Sequence, residues 1–109
     1  MSSPVNLSNL RNMTGNDAEL EKELFEIFLL SAGECIENLR ASCQTGSDEA
    51  WRKEAHAFKG ISLNLGAEKL GELCKEAQNQ ATAARVEKQR MLVAIETEYA
   101  NVRQYLMQI

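Results

Sequence analysis

Apolar side chains recur at three- and four-residue steps along nearly all of this chain, and this spacing constrains the fold more than any other feature. An α-helix has 3.6 residues per turn, so the spacing places these side chains along one side of a helix. The chain's one proline is at position 4, which leaves the remaining sequence free to be helical. The pattern therefore predicts an all-α protein built from amphipathic helices.

Five groups of mostly apolar residues follow this spacing, one short and four long. They are Val5, Leu7, Leu10 and Met13; Leu20, Leu24, Ile27, Phe28, Cys35, Leu39 and Cys43; Trp51, Ala55, Phe58, Ser62 and Leu65; Leu70, Leu73, Cys74, Ala77, Ala81 and Ala84; and Leu92, Ile95, Tyr99, Val102, Leu106 and Ile109. The first group predicts a short helix within residues 5–14. The others predict helices over about 18–44, about 48–65, from about 70 to an end between 80 and 87, and about 87–108.

Capping and turn residues separate the predicted helices. Asp17 and Ser47 suit the N-cap position, where a side-chain oxygen accepts hydrogen bonds from free backbone N–H groups. Gly46 and Gly66 suit helix ends, because glycine readily takes the left-handed backbone conformation. Four amphipathic helices with short connections predict an up-down-up-down four-helix bundle, preceded by a short additional N-terminal helix. An extended coiled coil is disfavoured, since the breaks at Gly46 and Gly66 come too soon.

The length of 109 residues fits one domain over residues 1–109, with the bundle over 17–109. The net charge is −4 and the pI is about 5.0, which argues against nonspecific binding to nucleic acid or to an anionic membrane. The strongest apolar run, residues 27–30, is too short to span a bilayer, and residues 1–13 do not resemble a secretory signal. We therefore expect no nucleic-acid partner and no membrane insertion.

The three cysteines, Cys35, Cys43 and Cys74, form no C-x-x-C pair, and one would remain unmatched if two were bridged. They lie near apolar helical positions, where a free cysteine behaves as a small hydrophobic residue. This usage favours a reducing compartment. The cytoplasm is the expected location.

The chain's only histidine, His56, lies within the predicted helix over 48–65. By helical geometry it points about 140° away from the centre of the stripe formed by Trp51, Ala55, Phe58, Ser62 and Leu65. It is therefore expected to face solvent. An accessible neutral imidazole is a competent nucleophile at neutral pH.

Three residues that follow His56 are predicted to share its outward face. Lys59 and Gly60 come one turn later, and Leu63 comes two turns later. Gly60 is unexpected, because glycine inside a helix costs about 1 kcal/mol relative to alanine. Each residue also has a simpler interpretation: an ordinary surface lysine, a kink or close helix contact, and a single exposed leucine.

The segment from His56 to Cys74 reads H-x-F-K-G-x-S-x-x-L-G-A-x-x-L-x-x-x-C, and it closely resembles the histidine-containing phosphotransfer (HPt) domain of two-component phosphorelay systems. The agreeing positions are His56, Phe58, Lys59, Gly60, Ser62, Leu65, Gly66, Ala67, Leu70 and Cys74. They occur in order and without a gap, so the match is specific. The family usually continues with a Leu-Glu pair, where this chain has Ala77 and Gln78.

The resemblance implies that His56 is a phosphoacceptor. It would take a phosphoryl group from a receiver-domain aspartate, hold it as phosphohistidine and pass it to another receiver aspartate. The chain would then be a phosphoryl carrier and not an enzyme with ATP-dependent kinase activity. It would need no cofactor of its own, because the receiver is expected to supply Mg²⁺. Lys59 could lie near the phosphoryl group, while Gly60 leaves room for it.

The implied partners are response-regulator receiver domains and a hybrid sensor histidine kinase, and the chain is expected to be a monomer. Leu63 and Ala57, with the side-chain stems of Arg52 and Lys59, would form part of a receiver-docking patch. Arg52 and Lys53 would attract an acidic receiver pocket. Alternatively, these two cations are simply solvated.

Other functions are less compatible with the sequence. A metal-binding bundle would need E-x-x-H or H-x-x-x-H, but Lys53 stands three residues before His56. The chain also lacks a glycine-rich nucleotide loop, which argues against an autonomous kinase. One alternative remains open: a non-catalytic helical adaptor that binds receiver domains or other partners, with His56 incidental.

Overall fold

The structure, a computed structural model, describes residues 3–109, and this part of the chain contains five α-helices and no β-strand. The helices are α1 (Ser8–Thr14), α2 (Ala18–Thr45), α3 (Asp48–Leu65), α4 (Glu68–Asn79) and α5 (Arg85–Gln108). Each helix from α2 to α4 packs against the next, and α5 also packs against α2. The short α1 lies against α2. The predicted all-α four-helix bundle with a short N-terminal helix is confirmed.

Local capping explains why α2 and α3 begin and end where they do. Asp17 Oδ1 accepts hydrogen bonds from the backbone N–H groups of Glu19 and Leu20, at 3.1 and 3.2 Å. Gly46 ends α2 in the left-handed conformation, with φ of 75°. Ser47 Oγ then accepts a hydrogen bond at 3.2 Å from the backbone N–H of Ala50. Two residues therefore suffice to reverse the chain between α2 and α3.

The predicted apolar stripe of α3 forms the middle of the core. All five of its members are buried: Trp51, Ala55, Phe58, Ser62 and Leu65. Trp51 Nε1 donates a hydrogen bond to the carbonyl oxygen of Ala77 in α4, at 2.8 Å, so the only indole in the chain has its polar atom satisfied. The three cysteines are buried and free, as predicted.

Five residues assigned to apolar stripes are instead exposed: Met13, Leu20, Ile27, Ala84 and Ile109. On α2 the reason is geometric, because consecutive residues are about 100° apart and the adjacent Phe28 takes the inward position. Leu20 lies in the first turn of α2, and Ile109 follows the last residue of α5. On α1 the buried residue is Leu10, and Met13 lies near the end of the helix.

Two predicted helix boundaries are corrected. The fourth helix, α4, ends at Asn79 and does not continue into residues 80–87, because the chain turns there and the Ala83 N–H donates to the Gln80 carbonyl oxygen at 3.0 Å. Ala81 is still buried in this turn, whereas Ala84 is exposed and precedes α5. The last helix begins at Arg85, slightly earlier than the predicted 87.

The first helix is also shorter than the predicted 5–14, because the segment before Ser8 takes a different role. Val5 and Leu7 are buried although they precede the helix. Between them, the Asn6 N–H donates a 2.8 Å hydrogen bond to the carbonyl oxygen of Gly66. The segment thus packs across the end of α3.

Candidate functional site

His56 lies in the middle of α3 and is exposed, as predicted. Its neighbours Ala55 and Phe58 are fully buried on the opposite side of the helix. The fold therefore presents the imidazole to solvent from a helix whose other side is held in the core. A neutral imidazole in this position can act as a nucleophile toward an approaching electrophile.

The surface next to His56 is open at Gly60. A β-carbon built on this glycine would have no neighbouring atom within 4 Å, and α3 runs unbroken from Asp48 to Leu65. Neither a close helix contact nor a break in the helix accounts for the glycine. Its effect is to leave space one turn from the imidazole, because Gly60 and His56 are four residues apart on the same side of the helix.

The outer surface of α3 carries three cations within about one turn of the imidazole. Arg52 and Lys53 are exposed, and Lys59 is half-buried. Within residues 3–109, the ion pairs involve other cations: Arg11, Arg40, Lys69, Lys88 and Arg90. The three cations near His56 are therefore available to an anion that approaches this surface.

The acidic neighbour Glu54 turns away from this surface. Its carboxylate accepts a hydrogen bond from Asn38 Nδ2 in α2, at 3.0 Å. Glu54 also contributes to raising the pKa of the Cys35 thiol to about 11, although burial is the larger cause. This carboxylate thus belongs to the contact between α2 and α3, and the positive side of α3 is left to Arg52, Lys53 and Lys59.

The predicted docking residues Ala57 and Leu63 are both exposed. Leu63 retains 46% of its accessible surface, since part of its side chain packs against α4. Its contact there is with Gly71, a residue that the apolar spacing and the HPt pattern do not mark as functional. The one available signal was a glycine within a predicted helix, which is a costly position for that residue.

Ala77 and Gln78 occupy the positions where the sequence departs from the HPt pattern. Ala77 is fully buried, and its carbonyl oxygen is the acceptor for the Trp51 indole. Gln78 is half-buried, and its Oε1 is enclosed without a hydrogen-bond donor among the described residues. The alanine therefore belongs to the packing between α3 and α4.

Residues 3–109 contain no group of three or more His, Cys, Asp or Glu side chains arranged to hold a metal ion. None of the five helices has the length and apolar character needed to cross a membrane.

Residues 23–105 match the family model of the Hpt domain. The match covers most of the chain and includes the helices that carry and support His56, so the chain belongs to the Hpt domain family. As a member of this family, it is a phosphorelay intermediate of two-component signal transduction. No curated protein matches the sequence significantly.

Two solved structures resemble the chain over almost its full length. Histidine-containing phosphotransfer protein B (HptB) from Pseudomonas aeruginosa PAO1 is 28% identical, with a TM-score of 0.87, and the alignment covers 99% of this chain and 95% of that one. The HPT domain of a sensor hybrid histidine kinase from Shewanella is 16% identical, with a TM-score of 0.76 and coverage of 96% and 92%. The second likeness concerns the fold alone.

Proposed function

We propose that His56 is the residue that carries the phosphoryl group. The observation that supports this assignment is the position of the only histidine of an Hpt-family chain, exposed at mid-helix and opposite the buried side of α3. The phosphoryl group comes from the aspartyl phosphate of one receiver domain and passes to the aspartate of another.

In the transfer, a ring nitrogen of His56 attacks the phosphorus of the receiver's acyl phosphate. A P–N bond forms while the acyl P–O bond breaks, and the aspartate leaves as a carboxylate. The reverse step returns the phosphoryl group to the second receiver. Mg²⁺ belongs to the receiver, where it neutralises charge on the phosphoryl oxygens. The chain itself acts as a carrier and does not use ATP.

Lys59 and Gly60 assist this step in different ways. A lysine ammonium 4 Å from a phosphoryl charge contributes only about 1 kcal/mol in bulk water, so Lys59 tunes the transfer and does not carry it. Gly60 leaves space for the phosphoryl group and for the receiver's active site. This role agrees with the open space around its backbone.

Receiver docking involves the exposed side of α3. Arg52 and Lys53, which have no ion-pair partner among residues 3–109, attract the acidic pocket of a receiver. Ala57 and Leu63 provide exposed apolar contacts. The partners are receiver domains and a hybrid sensor histidine kinase, and the chain acts as a cytoplasmic monomer.

The test is phosphotransfer from a ³²P-labelled receiver in the presence of Mg²⁺. We expect the chain to acquire an acid-labile, base-stable label, whereas His56→Gln acquires none. Because His56 is exposed, its replacement should change the free energy of unfolding by less than about 0.5 kcal/mol. Gln104→Ala, an exposed change on α5, is the matched control and should label fully. Full labelling of His56→Gln would overturn the assignment.

The alternative function, a non-catalytic helical adaptor, predicts a different result in the same experiment. Such an adaptor would bind receiver domains without acquiring any label. His56→Gln would then behave like the unsubstituted protein. Parallel measurements of receiver binding and label transfer therefore separate the two functions.

A further inference from the structure

Leu63 is an apolar side chain in an unusual position beside the candidate phosphoacceptor. It follows His56 by seven residues, which places it about 10 Å along α3 and only about 20° around the helix. Close to half of its surface, 46%, is exposed. The buried part rests on α4, so the side chain is held in the groove between two helices while one side faces outward.

The residue beneath Leu63 is Gly71, which is buried and is the fourth residue of α4. A β-carbon built on Gly71 would lie 2.4 Å from Leu63 Cδ2 and 2.8 Å from Leu63 Cγ. Both separations are shorter than any ordinary carbon–carbon contact. Leu63 therefore occupies the space that a side chain at position 71 would need.

No other feature of the structure requires glycine at position 71. Its backbone is helical and does not have a positive φ, unlike Gly15, Gly46 and Gly66. The three nearest atoms to the built β-carbon all belong to Leu63. Because glycine is a poor helix former in such a position, its presence is explained by the leucine that lies over it.

We propose that Gly71 is a positioning residue for the receiver-docking surface, because it seats Leu63 in the groove between α3 and α4. The seated leucine presents its exposed side to a receiver and keeps its side chain clear of the space above Gly60. A side chain at position 71 would push Leu63 outward, toward the region that a receiver must occupy to reach His56. This inference rests on the proposed docking of a receiver domain on the exposed side of α3.

Gly71→Ala is the direct test, with Gly33→Ala as the matched control. Gly33 also lies inside a helix, α2, but a β-carbon built on it meets nothing within 4 Å. The receiver domains of the same organism are first screened, unphosphorylated, for binding to the unsubstituted protein. The affinity of each variant is then measured for the receiver that binds most tightly. We expect Gly71→Ala to weaken this binding about fivefold, typical of a displaced contact near the edge of an interface, and Gly33→Ala to bind normally.

A double substitution distinguishes positioning from a general effect on the bundle. If Gly71 acts through Leu63, then Gly71→Ala adds no further loss of receiver affinity in a Leu63→Ala background. Denaturant unfolding of the same variants should show that Gly71→Ala keeps its cooperative transition. The inference would be overturned if Gly71→Ala bound the receiver with unchanged affinity. It would also be overturned if Gly71→Ala caused the same loss of affinity in the unsubstituted protein and in the Leu63→Ala background.

Failure of the proposed function would give a separate result. Labelling of His56 by phosphoramidate, a small phosphoryl donor, reports the reactivity of the imidazole without a receiver. Gly71→Ala should label at the normal rate in this assay, since only docking is altered. If the unsubstituted protein bound receivers but could not be phosphorylated, the phosphoacceptor assignment would fall while the role of Gly71 in docking would stand.

Discussion

Lys88 of α5 forms an ion pair with Asp48 at the start of α3, although the lysine side chain is only 3% exposed. Its ammonium group also lies 5.5 Å from the centroid of the Trp51 ring. One buried cation thus connects the beginnings of α3 and α5 through an ion pair and a cation–π contact.

Lys88→Ala should therefore destabilise the bundle. The substitution leaves the Trp51 ring without its cation and removes an aliphatic stem from the core, and we expect a loss of about 1–3 kcal/mol. Urea denaturation followed by circular dichroism measures the effect. Lys75→Ala is the control, because Lys75 is exposed and should change stability by less than about 0.5 kcal/mol. Equal stability of the two variants would contradict the interpretation.

Gly66→Ala should be more destabilising than Gly46→Ala. Both glycines have positive φ, 100° and 75°, so both substitutions strain the backbone by about 1 kcal/mol. At Gly66 the new β-carbon would also lie 1.9 Å from the carbonyl oxygen of Asn6, whereas at Gly46 it meets nothing within 4 Å. Urea denaturation gives the loss in the free energy of unfolding for each variant. The difference between the two losses reports the contact of the N-terminal segment with Gly66. We expect it to exceed about 1 kcal/mol.

Lys59→Ala should slow phosphotransfer by up to about tenfold, because the proposed function places this cation near the transferred group. The fold should be unaffected, since the aliphatic stem is only half-buried. Rapid-quench measurement of label transfer from the receiver gives the rate, and Lys75→Ala is the matched lysine control. A rate equal to that of the unsubstituted protein would remove Lys59 from the mechanism.

Gly60→Gln should retain the helical circular-dichroism signal but weaken transfer. The structure has open space at this position, so a side chain can be added without a clash inside the protein. In the proposed function, the receiver's active site enters this space. Gly33→Gln on α2 controls for the general effect of glutamine at a helical glycine. Equal transfer rates for the two variants would show that access is not the purpose of Gly60.

The buried thiols predict a loss of stability at alkaline pH. Burial, with a smaller contribution from Cys35, raises the pKa of Cys74 from 9.0 to about 12, so its neutral form is favoured in the folded protein. This contribution is complete below about pH 9, where the unfolded thiol is also protonated. It decreases as the pH rises toward 12, because the unfolded thiol then ionises first. Urea unfolding of the protein and of Cys74→Ala at pH 7 and pH 10 measures it: the substituted protein should lose less stability between the two pH values.

Much of the arrangement around His56 is predictable from local sequence. The buried stripe on α3 fixes the direction of the histidine. Each residue advances about 100° around a helix, so once the apolar side faces the core, the outward direction of His56 follows. Asp17, Gly46 and Ser47 mark the ends of α2 and α3, since capping depends on residues close in sequence. These predictions need no knowledge of the neighbouring helices.

The features that the sequence does not predict depend on contacts between distant segments. The seating of Leu63 on Gly71 joins two helices, and the approach of Asn6 to Gly66 joins residues far apart in the chain. Local spacing also cannot decide whether Ile27 or its neighbour Phe28 turns inward, because both fit an apolar pattern. The end of α4 at Asn79 is not predictable from local sequence, because residues 80–87 contain no Gly or Pro and alanine has a high helix propensity.

The support beneath His56 has a consequence for the direction of signalling. A ring that already stands in water, on a helix fixed by Ala55 and Phe58, can be loaded and unloaded without rearranging the backbone. If His56 is the acceptor, the receiver that donates the phosphoryl group and the receiver that takes it both dock on the same, unchanged surface of α3. On this proposal, the net flux of phosphoryl groups is set by the relative free energies and concentrations of the two aspartyl phosphates. The bundle itself would favour neither direction.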